Sequence, residues 1–266
     1  MAIRVGVIGA GGRMGSEVCL AISATSDLEL VAAVSPSHAG ESLHEVVPCV
    51  GSRPAGGLTV GADLDVLSHA DCEVVVELTG PATVGEHLIW LLEHDIHAVV
   101  GATGLSDAEL TRARSLAAGG TANALIAPNF AIGAVLLMRF AAQAAEHLPH
   151  VEVIELHHDH KVDAPSGTAL RTAELIAEAR DHVPAAPHGD DEHPGARGNE
   201  HHGIHVHSVR LPGLVASQEV VFGGQGQTLS LRHDSIDRSS FMPGVLLGCR
   251  RVHELEGLVV GLDHLL

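Results

Sequence analysis

The stretch His157-His158-Asp159-His160-Lys161-Val162-Asp163-Ala164-Pro165-Ser166-Gly167-Thr168 sets three histidines and a lysine directly before a turn of small residues. Residues of these types do one of three things: they hold and protonate an anionic small molecule, ligate a metal, or form a hydrated polar connection. Lys161 carries a full positive charge and a transferable proton. Ser166 or Thr168 can cap a helix beginning after Gly167. The N–H groups of Gly167 and Thr168 then sit at a positive helix end, which suits a carboxylate or a phosphate. His157 and His158 follow a strand, so extended geometry sends them to opposite faces and lets one of them reach a ligand. A metal needs converging ligands, and Lys161 in their midst repels a cation, so none is expected. The anion pocket and the polar connection both stay open on these residues alone.

A second constellation lies at the start. Ile3-Arg4-Val5-Gly6-Val7-Ile8 runs into Gly9-Ala10-Gly11-Gly12-Arg13-Met14-Gly15, and a helical pattern through Val18, Ala21 and Ile22 follows. Strand, glycine turn and helix in this order make a dinucleotide site, where glycines admit the pyrophosphate and the helix N-terminus supplies N–H groups. Met14 stands where the usual motif has its last glycine, so the spacing is a variant with Gly9, Gly12 and Gly15. An NAD enzyme usually carries an acidic residue about 20 residues further on, to bind the ribose 2′-hydroxyl. This chain has Ser35, followed by Pro36, Ser37 and His38. With no carboxylate to repel a 2′-phosphate, and with Ser35, Ser37, His38 and Arg13 able to receive one, NADPH is favoured over NADH. A loop indifferent to the 2′ position is the alternative.

These residues need a scaffold. Short apolar runs at 28–34, 73–78, 97–100 and 124–127 alternate with helical patterns at 84–93 and from Ser106, where Ser106-Asp107-Ala108-Glu109 reads as a capping box. Such alternation means a doubly wound parallel sheet of the Rossmann type, with ligands at the carboxyl ends of its strands. The loops 9–15, 35–38, 79–81, 101–104 and 127–130 would then face one crevice. From 131 the pattern changes. A helix at 131–147, a strand at 151–156, a helix from Thr168 to about His182, an alternating run at 204–211 and a glycine-turn hairpin at 218–233 make an α+β arrangement. Ser239 to Val252 reads as a helix and 257–262 as a short strand rejoining the first sheet. The expected division is 1–130, with 239–266 packing back onto it, and 131–238 as a second α+β unit whose sheet offers a surface for self-association. Residues 183–203, rich in Pro, Gly, Asp and His, have no periodicity and read as a long solvated loop.

Composition narrows the partners. The 266 residues are 45% hydrophobic and 18% charged, which is globular. Fifteen basic against 33 acidic residues give −18, which argues against general attraction to nucleic acid or anionic membrane. No apolar run approaches the roughly 18 residues of a membrane span. Four cysteines lie far apart without C-x-x-C pairing, as expected of free thiols in a reducing, cytoplasmic setting.

Taken together, the residues resemble the 4-hydroxy-tetrahydrodipicolinate reductase (dihydrodipicolinate reductase) family almost from end to end. The resemblance rests on the variant glycine turn, Gly101-Ala102-Thr103-Gly104, Ala127-Pro128-Asn129-Phe130, His157-His158-x-His160-Lys161, Asp163 to Thr168, and His233-Asp234-Ser235 with Arg238. It implies a nicotinamide cofactor on Gly9, Ala10, Gly11, Gly12, Arg13, Met14, Ser35, Gly101, Ala102, Thr103, Ala127, Pro128, Asn129 and Phe130. It implies a dicarboxylate substrate held by His158, Lys161, Ser166, Gly167 and Thr168, with His157 and Lys161 as proton donors. It also implies a homotetramer built through the sheets of the substrate domain. Five positions depart from the family: Ser35 for an acidic residue, Pro36 for the basic residue that can follow it, Glu77 and Leu78 in Glu77-Leu78-Thr79 for the first two residues of Asp-Phe-Thr, and Ala102 for a threonine. The rival readings are another two-domain dehydrogenase acting on an amino acid, which has no need for Lys161 beside Pro165-Ser166-Gly167-Thr168, and a catalytically silent nucleotide sensor, which has no need for His157 or Lys161.

Overall fold

Ile3–Ile8 forms strand β1, with Val5 and Val7 fully buried, as the β-branched run requires. The chain is a computed structural model that describes residues 2–48, 57–180 and 195–266. After β1 come α1 (Arg13–Ser23), β2 (Leu28–Val34), α2 (Leu43–Val46), α3 (Asp65–His69), β3 (Val74–Glu77), α4 (Val84–Glu93), β4 (His97–Val100), α5 (Asp107–Gly119) and β5 (Ala124–Ile126). The second half holds α6 (Ile132–Ala145), β6 (His150–His157), α7 (Gly167–Glu178), β7 (Asn199–His201), β8 (Ile204–Arg210), β9 (Ala216–Gly224) and β10 (Gln227–Ser235). The chain ends with α8 (Met242–Arg251) and β11 (Leu258–Val260). It divides into two units: residues 1–130 with 241–266, and residues 131–240.

The first unit is a six-stranded sheet in the order β11-β5-β4-β3-β1-β2, parallel throughout. Chain order reverses between β1 and β3, and the carboxyl ends there are where an open α/β sheet receives its ligand. Helix α4 packs Leu88 and Leu91 into the core with no exposure, each contributing roughly 1.5–3 kcal/mol by leaving water. Helix α5 starts where its capping box requires: Ser106 Oγ accepts from Glu109 N–H at 3.3 Å, and Glu109 Oε2 accepts from Ser106 N–H at 2.8 Å. No helix among the described residues is long and apolar enough to cross a membrane.

The second unit is a mixed sheet in the order β10-β9-β6-β8-β7, with β6 and β8 parallel and the other neighbours antiparallel. Helices α6 and α7 share one core with its Val153, Val206, Val220 and Phe222 face. The β9–β10 hairpin turns through Gly226, whose φ of +73° suits only glycine at low cost.

Three details differ from the reading of the sequence. The run at 183–203 is not all loop, because Asn199–His201 forms β7 and pairs antiparallel with Ile204, His205 and Val206 of β8; its part at 183–194 lies outside the described residues. The helix starting at Gly167 ends at Glu178. The helix expected from Ser239 begins with a 3-10 turn at Arg238–Phe241, and α8 proper starts at Met242. Pro243 explains this, since a residue without an N–H is at home only in a first turn.

Candidate active site

In the first unit, Gly9 has a φ of +84°, and a side chain on it would sit 3.2 Å from the Leu78 carbonyl. Gly12 N–H closes the turn onto Gly9 O at 2.9 Å and is the N-cap of α1. A Cβ on Gly15 would collide with that same carbonyl, so α1 packs directly on the turn. The N–H groups of Gly9 and Ala10 both donate to Val34 O, at 2.9 and 3.1 Å. These two residues therefore shape the loop, and the amides that the turn leaves over are those of Gly11 and of the first turn of α1, Arg13 and Met14.

The neighbouring strand ends converge on this turn. A Cβ on Gly11 would meet Ser35 and His38, and one on Gly101 would lie 2.7 Å from Leu78 and 2.8 Å from Phe130. Ala102 and Ala127 are buried behind the loops, while Thr103 and Pro128 are exposed and Asn129 is half-buried. The strand-end loops therefore pack on one another so closely that Gly11 and Gly101 have no room for a side chain. Ser35 is buried, with its Oγ 3.3 Å from Ser37 Oγ. Its neighbour His38 places Nδ1 3.3 Å from Glu41 Oε1. Glu41 is therefore an acidic group in the neighbourhood that the sequence reading treated as free of carboxylates. Glu77, noted in the sequence as a departure from the family's Asp, has a structural part here. It is fully buried, and its Oε1 accepts from Thr79 N–H at 3.1 Å, from the Thr79 hydroxyl and from His87 Nδ1 at 3.1 Å, which pins the Leu78-Thr79 strand end.

In the second unit, the parity of β6 decides what surrounds the histidines. Glu152 and Glu155 are three residues apart, so a strand must send them to opposite faces. Glu152 is half-buried beside Arg197 and His207, whereas Glu155 is fully enclosed on the helix-covered face with Val153 and His157. Parallel pairing of β6 with β8 sets Glu155 opposite Ser208 and His157 opposite Arg210. Arg210 grips both carboxylate oxygens, with Nη1 to Oε2 at 2.9 Å and Nη2 to Oε1 at 2.8 Å. His157 Nδ1 lies 2.5 Å from Oε2, and Ser166 N–H donates to Oε1 at 3.3 Å. Burial pushes the Glu155 carboxyl up, but the bonds from His157, Arg210 and Ser208 outweigh it and draw its pKa down to about 2.

The stretch from His158 is tied to this cluster. Arg210 Nη2 also donates to Asp163 O at 2.6 Å, and Lys161 Nζ bonds both Asp163 carboxylate oxygens at 2.8 Å. Bonding by Lys161 holds the Asp163 carboxyl below its ordinary range. His158 is pulled down by partial burial and then by the fields of His157, His160 and Lys161, which favours the neutral ring at neutral pH. Gly167 and Thr168 form the first turn of α7, and space is open beside Gly167. Ser166 is one of the two residues that the sequence offered as a cap for α7. Its side chain is buried and its Oγ accepts from Ala169 N–H at 3.2 Å, so it caps α7 from beneath.

The histidines of the sequence's polar run give one unforeseen cluster among the described residues. Glu174, His201 and His202 bring possible ligand atoms within 4.8 Å of one another. Arg171 Nη1 already bonds Glu174 at 3.0 Å and opposes a second cation there. His157 to Lys161 form no such group among the described residues.

Comparison with known proteins agrees over the whole chain. The family profile for the N-terminus of dihydrodipicolinate reductase matches residues 3–130, and that for its C-terminus matches residues 133–266. The 4-hydroxy-tetrahydrodipicolinate reductase of Nocardia farcinica is 52% identical, covering 99% of this chain and 98% of its own. That of Mycolicibacterium vanbaalenii is 49% identical over 99% of both. Among solved structures, a dipicolinate-bound dihydrodipicolinate reductase from Paenisporosarcina sp. TG-14 superposes with a TM-score of 0.87 at 42% identity, covering all of both chains.

Proposed function

The chain belongs to the dihydrodipicolinate reductase family, and from that premise we propose which of its residues carry the reaction. The reaction is the NAD(P)H-dependent reduction of 4-hydroxy-tetrahydrodipicolinate to tetrahydrodipicolinate in lysine biosynthesis through diaminopimelate. One hydride and one proton are consumed, and one water is released. When bound, the reduced nicotinamide supplies the hydride.

Residues 1–130, with 241–266, form the dinucleotide-binding domain, and residues 131–240 form the substrate and tetramerisation domain. The cofactor lies on the loop from Gly9 to Met14, beside Ser35, Gly101 to Thr103 and Ala127 to Phe130. On the other unit, the dicarboxylate is held by Lys161, by the α7 N-terminus at Gly167 and Thr168, and by His158. His158 acts through a hydrogen bond rather than through charge, because its ring is held neutral. Ser166 supports the turn from below. After hydride arrives, the carbanion-like carbon that it leaves takes the one proton that the reaction consumes from the donor pair His157 and Lys161. The observation that carries this reading is Lys161 on the turn that leads from His157 to the Ser166-capped N-terminus of α7. It is tested by making the unstable substrate in place from pyruvate and aspartate semialdehyde and following NADH and NADPH oxidation in parallel. Folded protein that binds nucleotide yet oxidises neither would sink the assignment.

NADPH is the preferred cofactor in this reading, received at its 2′-phosphate by Ser35, Ser37, His38 and Arg13, with Glu41 as the opposing charge. Glu41 is half-exposed and its pair with His38 is screened. Replacing it, Glu41→Gln, is therefore expected to raise the NADPH-to-NADH ratio of kcat/KM only about two- to fivefold. An unchanged ratio would remove Glu41 from the cofactor site.

The subunits assemble as a tetramer through the face of the second sheet opposite α6 and α7. That face presents Ile154, Leu156, Val209 and Val221 among the charges of Glu152, Glu219 and Arg232. A mass of 27.5 kDa by equilibrium sedimentation would overturn the assembly. The enzyme works in the cytoplasm, in keeping with Cys19, Cys72 and Cys249, which are buried, unpaired and pushed by burial up to about 12.

A further inference from the structure

Glu155 is a fully enclosed carboxylate beneath a residue assigned to proton transfer, and none of its contacts is to solvent. A buried ion pair with Arg210 alone is weak evidence for stability, so the geometry asks for another account. An ionised carboxylate only accepts hydrogen bonds, so the His157 nitrogen facing it must carry the hydrogen. Nδ1 is that nitrogen, 2.5 Å from Oε2. Its proton is thereby fixed, and Nε2 is the only ring atom left to exchange one with a ligand. The charged ring can give its Nε2 proton and end in the neutral Nδ1–H form without turning or changing partners. Arg210 bonds both oxygens of Glu155, which opposes movement of the His157 proton onto the carboxylate. Through the Asp163 carbonyl, the same guanidinium anchors the turn that carries Lys161.

We propose that Glu155 is the positioning residue through which His157 works: it fixes the proton on Nδ1 and leaves Nε2 as the atom that protonates the substrate, with Arg210 holding Glu155 as the anion. The inference rests on His157 being a proton donor, as proposed above. Glu155 touches neither substrate nor cofactor in this arrangement. Glu155 comes from β6, the strand that carries His157, and Arg210 from the end of β8 beside it.

The test is a cycle of Glu155→Gln, His157→Gln and both together in the coupled assay, with kcat and KM separated. For Glu155→Gln we expect kcat to fall about tenfold or more while KM changes less than about threefold, the signature of lost proton transfer. In the His157→Gln background the same replacement should cost less than about threefold, because its route of action is already gone. A full second loss in that background means that Glu155 only supports the fold, and overturns the proposal. Wild-type turnover in Glu155→Gln overturns it equally. Wild-type turnover in His157→Gln is a different failure: it removes the proton-donor role of His157 itself. Where Glu155→Gln does not fold, Glu155→Gln with Arg210→Met removes the ion pair as a unit, and the cycle is run with that pair under the same criteria.

Discussion

Replacing Lys161 with methionine is expected to lower kcat about a hundredfold or more and to leave cofactor binding to the first unit unchanged. Methionine keeps most of the apolar stem and removes the charge and the proton. In the folded protein, Lys161 Nζ is fixed by two bonds to Asp163, a carboxylate that is itself largely exposed. Breaking such a pair costs at most about 1 kcal/mol, so the fold survives and the loss reads out chemistry. Nucleotide titration followed by calorimetry, beside the coupled assay, separates the two effects. Turnover kept within about threefold would reduce Lys161 to a partner of Asp163. Loss of nucleotide binding as well would mean that the change had spread beyond its own unit.

The largest effect on stability is expected from Arg210→Met. Glu155 then keeps its burial and loses both guanidinium bonds, while the bonds from His157, Ser208 and the Ser166 N–H remain; breaking a buried pair in this way costs about 3–5 kcal/mol. A fall in melting temperature on the order of 10 °C should follow at neutral pH. The pH dependence weakens as well. In the native protein the Glu155 pKa is depressed from 4.5 to about 2, so its stabilisation is present above 4.5 and is lost as pH falls through that interval. In the variant one of the groups that oppose burial is gone, so the carboxyl is depressed less and acidification removes less stability. Melting curves between neutral pH and about 3 distinguish the two, and a variant that loses as much stability on acidification as the parent would show that Arg210 does not hold Glu155 as the anion.

The chain's elements were legible where local pattern and tertiary need coincide. Residues 84–93 and 97–100 fall on α4 and β4 to the residue, because their apolar positions face the core directly. The Ser106 box starts its helix for reasons contained in four residues. The loop residues of the first unit gather at strand ends because a parallel sheet places them there. What remained hidden depends on partners distant in sequence. Arg210 is 55 residues from Glu155 and meets it only through the parallel β6–β8 register. Glu155 itself left a trace, since the three-residue spacing from Glu152 forces one of the two carboxylates inward. His201 joins a strand that its own polar surroundings do not announce, because pairing with β8 supplies the order. The sequence left the cap of α7 open between Ser166 and Thr168, and the start of the helix at Gly167 gives it to Ser166.

The insertion of residues 131–240 between β5 and β11 has a consequence for synthesis. A chain growing from its N-terminus makes the second unit as one continuous piece, so that unit can close as soon as β10 has emerged. The first sheet must wait, because β5 has no outer neighbour until residues 258–260 are available. For that whole interval the nascent protein carries an unpaired parallel edge, the kind of surface that recruits foreign strands. The order of maturation is thus the reverse of the order of translation: the domain begun first is the one finished last. A message truncated before its final codons would yield a closed second unit joined to an open sheet, a product suited to recognition by chaperones and proteases.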